Sequence, residues 1–330
     1  MNTIPSHVII NEKDFSNLEE MYKHGLSDDE IALLRIEFTK FLKGAYATIE
    51  GLNVEVNKED IEKSFFLRLV LDKYATQGFR TRKISDLNQI SNDPWDRKIH
   101  FHLSLDSSLK PKSEKPFFSL SKLPGDWKKL SNQKRTIYKV GGPGSDFSGW
   151  KGLNLQKIPI KNILIVDPYF LERLDQSKLN LTRIIEGLID PKMAAEVSLM
   201  LFVRYDQETK DYSKKKVKDS TEIQSILGAK FPKIRFRTSI AYIRKTFTHD
   251  RYLFTDFYYM SCQGGFNFYN LSEKLDGNRS IDLNIYFLSD LDVAKAYSKR
   301  LIEIQSWLKS SRSLFDSVGE LENGLFEIEY

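Results

Sequence analysis

Cysteine is almost missing from this chain. One residue, Cys262, stands among 330, which excludes an intrachain disulfide and a zinc site built on cysteines, and suits a reducing cytoplasm. Histidine is also scarce, at five residues, so a histidine-rich metal centre has little material. His100 and His102 fall on one face of an alternating stretch, but no third ligand stands near them in sequence, and a solvent-facing pair is the simpler reading. No apolar run reaches the roughly 18 residues of a membrane-spanning helix. The opening MNTIPSHVIINEKD lacks the basic-then-apolar pattern of a secretory leader. Together these absences predict a cytoplasmic protein with no metal, no cofactor and no membrane span.

What is present is the composition of a folded chain. Hydrophobic residues make up 41% and charged residues 29%, too apolar for a disordered polymer. A length of 330 residues exceeds one ordinary core, so two domains are expected. The boundary is placed near residue 150, after a glycine-dense turn, giving domains 1–150 and 151–330. That turn, Gly141-Gly142-Pro143-Gly144-Ser145-Asp146, has neither the Gly-Lys-Ser/Thr ending of a phosphate loop nor the spacing of a dinucleotide fingerprint. Its proline also removes an amide donor. The net charge of +5 is a mild excess, compatible with a phosphate-bearing partner.

The first half reads as mainly helical, of α+β type. Residues 12–24 form one expected helix. Ser27 and Glu30 make a capping box, followed by Ile31, Leu34, Phe38, Phe41 and Leu42 at helical spacing. A third helix follows Asn57. Lys98–Leu105 alternates as a strand, and 106–135 is rich in Lys, Ser and Pro, a loop composition. No catalytic pattern occurs here, which leaves docking to a partner protein, target recognition or oligomerisation as its roles.

The second half alternates strands and helices. Residues 161–170 form a β-branched run ending in Asp167-Pro168-Tyr169. Such a run is a buried strand that delivers polar groups at its carboxyl edge, so Asp167 and Tyr169 are candidate ligand contacts. Equally, Asp167 can simply cap the next helix. Leu179–Leu188 reads as a helix, Glu196–Tyr205 as a strand and Asp206–Lys218 as a lysine-rich loop, either solvated or touching nucleic acid. A helix capped by Ser220 or Thr221 follows. Lys233–Ile240 is a strand whose Arg235 and Arg237 can line a phosphate groove or guard an exposed edge. Ser280–Phe287 is a further strand. Ser289 and Asp292 form a second capping box before a long helix, and the acidic, aromatic tail 318–330 can add an edge strand. The order β-α-β-α-β-β-β-α argues for a mixed sheet flanked by helices.

Inside this half stands THDRYLFTDFYYMSCQGGFNFYN, residues 248–270. On an extended strand His249 and Arg251 share a face, while Asp256 falls an odd number of residues away and needs a turn or bulge to join them. His249-x-Arg251-x4-Asp256, followed by Gly264-Gly265-x-Asn267, resembles the His-x-Lys-x4-Asp and Gly-Ser-x-Asn signature of the phospholipase D superfamily. Arg replaces Lys and Gly replaces Ser. The pattern is most similar to the phospholipase D-like C-terminal domain of MIT-domain proteins and its bacterial relatives, a branch in which the site is often degenerate.

The resemblance implies a phosphodiesterase or nuclease that needs no metal. His249 would be the nucleophile, with Arg251 and Asn267 steadying phosphoryl charge and Asp256 or Asp250 orienting the imidazole. Gly264, Gly265, Asp250, Asp167, Tyr169, Arg235 and Arg237 would surround the substrate, and nucleic acid is the expected partner. The family reaction uses two histidines and this chain carries one motif. Either a homodimer shares a composite site, or the module binds phosphate, nucleic acid or an anionic lipid head group without cleaving, as a subunit of a larger assembly. The bacterial relatives point further to antiviral or mobile-element conflict.

Overall fold

The computed structural model describes the second half nearly throughout: residues 135–155, 160–190, 195–204, 212–243, 251–277, 279–288, 291–310, 315–319 and 323–326. Before residue 135 it describes five strands and isolated positions between them. The chain divides into two compact units. One comprises Met1–Gln133 with Leu288–Lys295 and Tyr330, the other Lys134–Phe287 with Ala296–Glu329. The second unit therefore begins at Lys134, and the glycine-dense turn expected to end the first half lies inside it.

The first unit holds a sheet that its sequence pattern does not announce. Strands β1 (Ser6–Asn11), β2 (Ala45–Glu50), β3 (Phe79–Arg82), β4 (Ile99–Leu103) and β5 (Phe118–Leu120) form it in the order β3-β2-β1-β4-β5. Every pairing is parallel, which requires each connection to cross over the sheet. The pattern predicts only β4, so "mainly helical" omits the sheet at the centre of the unit. The capping box is in place: Glu30 N–H donates to Ser27 Oγ at 3.4 Å, and Ser27 N–H donates to Glu30 Oε2 at 2.9 Å. The Ser27 amide and the Ser27 hydroxyl, both donating to Glu30 Oε2, hold the exposed Glu30 carboxyl below the usual carboxylate range. The expected helix after Asn57 and the loop 106–135 fall almost wholly outside the described residues.

The second unit is the expected mixed sheet with helices. Its eight strands run β13-β9-β8-β7-β10-β11-β12-β6. In chain order they are β6 (Arg135–Val140), β7 (Asn162–Val166), β8 (Ala195–Arg204), β9 (Ile234–Ile243), β10 (Arg251–Thr255), β11 (Tyr258–Cys262), β12 (Arg279–Phe287) and β13 (Phe315–Val318). β7, β8 and β9 are parallel neighbours; all other pairings are antiparallel. β7 is central, and Ile163, Leu164, Ile165 and Val166 are fully buried, as a strand covered on both faces requires. The edge strand β13 precedes the tail 318–330 and shares only Val318 with it; within that tail Gly324–Phe326 is a short 3-10 helix. β6 is an addition to the expected order.

Helix α1 (Leu174–Leu188) joins β7 to β8, and α2 (Tyr212–Lys230) joins β8 to β9. Two contacts fix the direction of α2. In its first half, Asp219 Oδ2 accepts the Tyr242 hydroxyl at 3.1 Å. Just past its end, Phe231 meets Phe236 at 5.8 Å between ring centroids. Tyr242 lies at the carboxyl end of β9 and Phe236 near its start, so α2 begins at the carboxyl edge of the parallel strands. The lysines Lys214–Lys218, expected from sequence in a loop, form its first turns.

Helix α3 (Leu291–Ser310) enters the second unit at Ala296 and covers the opposite face. There Tyr297 packs on Phe254 at 5.6 Å and donates its hydroxyl to Thr255 O at 2.9 Å. Ser289, expected to cap it, lies outside the described residues.

The long apolar run after Arg251 does not form one strand. Thr255 Oγ1 accepts the amides of Phe257 (3.2 Å) and Tyr258 (2.9 Å), and this side-chain turn folds the run into the β10–β11 hairpin. Asp256 sits at its tip.

Candidate functional site

The carboxyl end of β7 and the first residue of β10 meet at one edge of the sheet. β10 runs antiparallel to β7 with Tyr252 opposite Val166, which brings Arg251 beside Asp167. Arg251 is half-buried. Its guanidinium lies over the Tyr169 ring, 5.2 Å from the centroid, and Nη1 donates to the Gln263 carbonyl oxygen. Its Nε is shut off from solvent and finds no acceptor among the described residues, nor does any carboxylate there pair with the side chain. A carbonyl and a ring face offset part of a unit charge, the ring by about 0.5–2 kcal/mol, and leave its sign uncompensated.

Asp167 is the anchor of this edge. Its carboxylate is 2% exposed. Oδ1 accepts the Tyr169 amide at 3.0 Å and Oδ2 accepts the Phe266 amide at 3.0 Å. One side chain thereby ties the Pro168–Tyr169 turn to the Gly264-Gly265-Phe266 turn. Gly265 adopts φ +78°, and a Cβ there would lie 2.8 Å from Asp167 Oδ2. Glycine is required on both counts. Asp167 does not cap the next helix, which begins at Leu174 after Arg173; its carboxylate is taken up in tying two loops together at the edge. Tyr169 is 38% exposed and presents a ring to solvent.

Behind the glycine turn lies an aromatic floor. Phe147 and Trp150 meet Phe268 at 5.3 and 5.5 Å, the latter pair stacked. The next residue is held by α1: Asn180 Oδ1 accepts the Tyr269 amide at 2.8 Å, and its Nδ2 donates to the Tyr269 carbonyl at 2.9 Å. Asn180 is fully buried, and its amide substitutes for a strand partner. Burial raises the Tyr269 hydroxyl above its usual range.

The remaining sequence-predicted residues divide. Gly264 and Gly265 belong to the edge. Asn267 stands beside them, but its Nδ2 donates to the Phe170 carbonyl at 3.1 Å, which ties that donor to the backbone. His249 and Asp250 lie outside the described residues, directly before Arg251 in the chain. Asp256 is not brought to the site. Its Oδ2 accepts the Lys161 amide at 2.6 Å and the Asn162 amide at 2.8 Å, and its Oδ1 accepts Asn162 Nδ2 at 2.7 Å. It thus closes the opposite end of β10, roughly 16 Å from Arg251 at the rise of an extended strand, and cannot orient an imidazole beside that arginine. Arg235 and Arg237 also lie at the opposite edge. They flank Glu196, with Arg237 Nε at 2.9 Å and Arg235 Nη1 at 3.7 Å from its carboxylate, and form an exposed ion-pair cluster.

Three contributors escape sequence reasoning. Arg204 ends β8 at the carboxyl edge, exposed, with its amide donating to the Pro168 carbonyl at 2.8 Å. Arg173 is exposed at the start of α1. Asn180 leaves a legible signal, an amide on the buried face of a helix beside Ile184 and Leu188.

Among the described residues no group of three or more His, Cys, Asp or Glu side chains is placed to hold a metal, and no helix is long and apolar enough to cross a membrane. Comparison with protein-family models finds no match, and none of the curated proteins matches the chain.

Proposed function

We propose that the second unit is a phospholipase D-like phosphodiesterase, a metal-independent nuclease whose phosphoryl site lies at the carboxyl edge of β7. The observation that carries this reading is Arg251: a half-buried guanidinium, unpaired with any carboxylate among the described residues, beside an exposed aromatic ring and a glycine turn. A cation so placed suits an anionic ligand. Phosphoryl oxygens are such a ligand, and the fork of a guanidinium matches two of them. His249 is the nucleophile of this scheme: its imidazole nitrogen bonds to phosphorus as the P–O bond to one half of the phosphodiester breaks and that oxygen takes up a proton, and water then displaces the imidazole. With one motif per chain, a second copy supplies the second histidine across a two-fold axis.

The test is cleavage of labelled DNA and RNA by the purified chain and by His249→Ala, with and without chelator. The proposal expects chelator-resistant cleavage that His249→Ala abolishes. Equal rates in the two proteins, or complete loss in chelator, overturn it.

A second reading is favoured by the placement of Asp256 and Asn267. Both side chains take backbone partners, which suits a module that holds a phosphodiester without cutting it. Binding by the wild type that weakens in Arg251→Gln, with cleavage absent throughout, selects this reading.

A further inference from the structure

We infer that Tyr169 is the specificity-determining residue of the Arg251 site: its ring takes the face of an unpaired nucleobase while the arginine holds the neighbouring phosphate. This rests on the phosphoryl-site reading of Arg251 and adds what the ligand carries beside its phosphate.

Packing gives no reason for a ring at this place. Pro168 and Phe170 on either side are buried, whereas Tyr169 is 38% exposed. Its side chain has one partner among the described residues, the Arg251 guanidinium at 5.2 Å from the ring centroid. The hydroxyl takes no hydrogen bond there, and no second ring packs on this one. A cation takes one face of a ring, and the exposed surface that remains suits a stacked plane. Arg251 has a donor to spare beside it. Nη1 is taken by the Gln263 carbonyl and Nε is shut off from solvent, which leaves Nη2 for a ligand. A phosphate oxygen on Nη2 lies next to the ring, and in a nucleotide only a sugar separates the phosphate from its base.

The ring is also held in advance. Asp167 Oδ1 accepts the Tyr169 amide at 3.0 Å, the Tyr169 carbonyl accepts the Glu172 amide at 3.2 Å, and the Pro168 carbonyl accepts the Arg204 amide at 2.8 Å. Pro168 fixes its own φ. A platform whose backbone is pinned on both sides loses little freedom when a base settles on it. Every base has a π face, so stacking of this kind tolerates sequence. In a duplex both faces of a base are already stacked, and the site therefore selects an unpaired base, as at a loop or a strand end. A lipid phosphodiester offers the phosphate without the plane. Were the ring only a cover for the guanidinium, its loss would weaken every phosphate ligand alike, and that separates the two roles.

The test compares probes with and without bases. A dinucleotide and its analogue with hydrogen in place of both bases, each joined by a phosphorothioate that resists cleavage, are titrated calorimetrically onto the full chain and onto Tyr169→Leu and Tyr169→Phe. The ring is exposed, so both variants retain the fold, and circular dichroism checks this. The wild type is expected to bind the dinucleotide about 5- to 150-fold more tightly than the abasic probe, the strength of one stacked base. Tyr169→Leu should erase that ratio by weakening the dinucleotide alone, and Tyr169→Phe should keep it. A dinucleotide carrying 2-aminopurine should lose fluorescence on binding the wild type and keep it with Tyr169→Leu. Equal affinity of the wild type for the two probes overturns the inference and leaves the Arg251 site standing. So does equal weakening of both probes by Tyr169→Leu, or wild-type binding to phosphatidylserine vesicles in preference to the dinucleotide. Failure of the wild type to bind either probe overturns the phosphoryl-site reading as well.

Discussion

Replacing Gly265 by alanine should be among the most damaging single-methyl changes at the sheet edge. Gly265 adopts φ +78°, where a residue with a Cβ is strained by about 1–2 kcal/mol. The new Cβ would also lie 2.8 Å from Asp167 Oδ2, an oxygen that already accepts the Phe266 amide at 3.0 Å. Relief requires the carboxylate to withdraw from that amide, and a hydrogen bond to a charged acceptor contributes about 1.5–3 kcal/mol. The expected loss is therefore about 3–5 kcal/mol. Urea unfolding of the second unit, followed through Trp150 on the aromatic floor, reads it as a lower midpoint at unchanged slope. Gly228→Ala is the control: it lies in α2 with nothing within 4 Å of a Cβ, and alanine there should be neutral or stabilise by up to about 1 kcal/mol. Asp167→Ala removes the oxygen that causes the collision, so the double variant Asp167→Ala, Gly265→Ala should be less damaged than the sum of the singles. A loss within about 0.5 kcal/mol of zero for Gly265→Ala, or strict additivity in that cycle, would refute the coupling of the two loops through Asp167.

Four further outcomes follow from the same geometry. Asp256→Ala strips a buried carboxylate from two backbone amides and one side-chain amide, and should lower stability by about 3–5 kcal/mol; if Asp256 is remote from the site, dinucleotide affinity measured well below the melting temperature stays unchanged. Asn180→Ala leaves the Tyr269 amide without its partner and should cost about 2–4 kcal/mol, read in the same unfolding assay. Burial pushes the half-buried Lys161 ammonium down to about 8, against the pull of Asp256. The unfolded chain then binds that proton more tightly between pH 8 and about 10.5, so stability of the wild type relative to Lys161→Met should rise by about 1–3 kcal/mol across that window, and a flat or falling difference refutes the assignment. Tyr242→Phe deletes a buried hydroxyl held by Asp219, whose neighbour Lys215 remains, and should cost about 1–2 kcal/mol by thermal unfolding.

The second unit is legible in its sequence because its elements carry strong periodic signals. NILIV can only be a covered strand, and the Ile184–Ile185–Leu188 face can only be a packed helix. The hairpin at Thr255 is not legible in the same way, since an unbroken apolar run hides a turn made by one threonine hydroxyl. Asp256, near Arg251 in sequence, is far from it in space because the extended strand Arg251–Thr255 separates them. The start of α2 reads as a loop because consecutive lysines carry no apolar period. In the first unit, strands such as AYATIE and FRTR are short and weakly patterned, and parallel pairing depends on partners distant in sequence, so neither the strands nor their order can be read locally. Arg251 and the glycine turn stand out in the sequence because a cation opening a buried strand has no packing reason to be there.

The most direct measurement is the position of a bound tetrahedral oxyanion. Crystals of the full chain soaked in tungstate, examined by anomalous scattering, should place the ion within hydrogen-bond reach of the Arg251 guanidinium, between Tyr169 and the Gly264–Gly265 turn. Tungstate found only elsewhere, with the Arg251 edge empty at saturating concentration, would contradict the account.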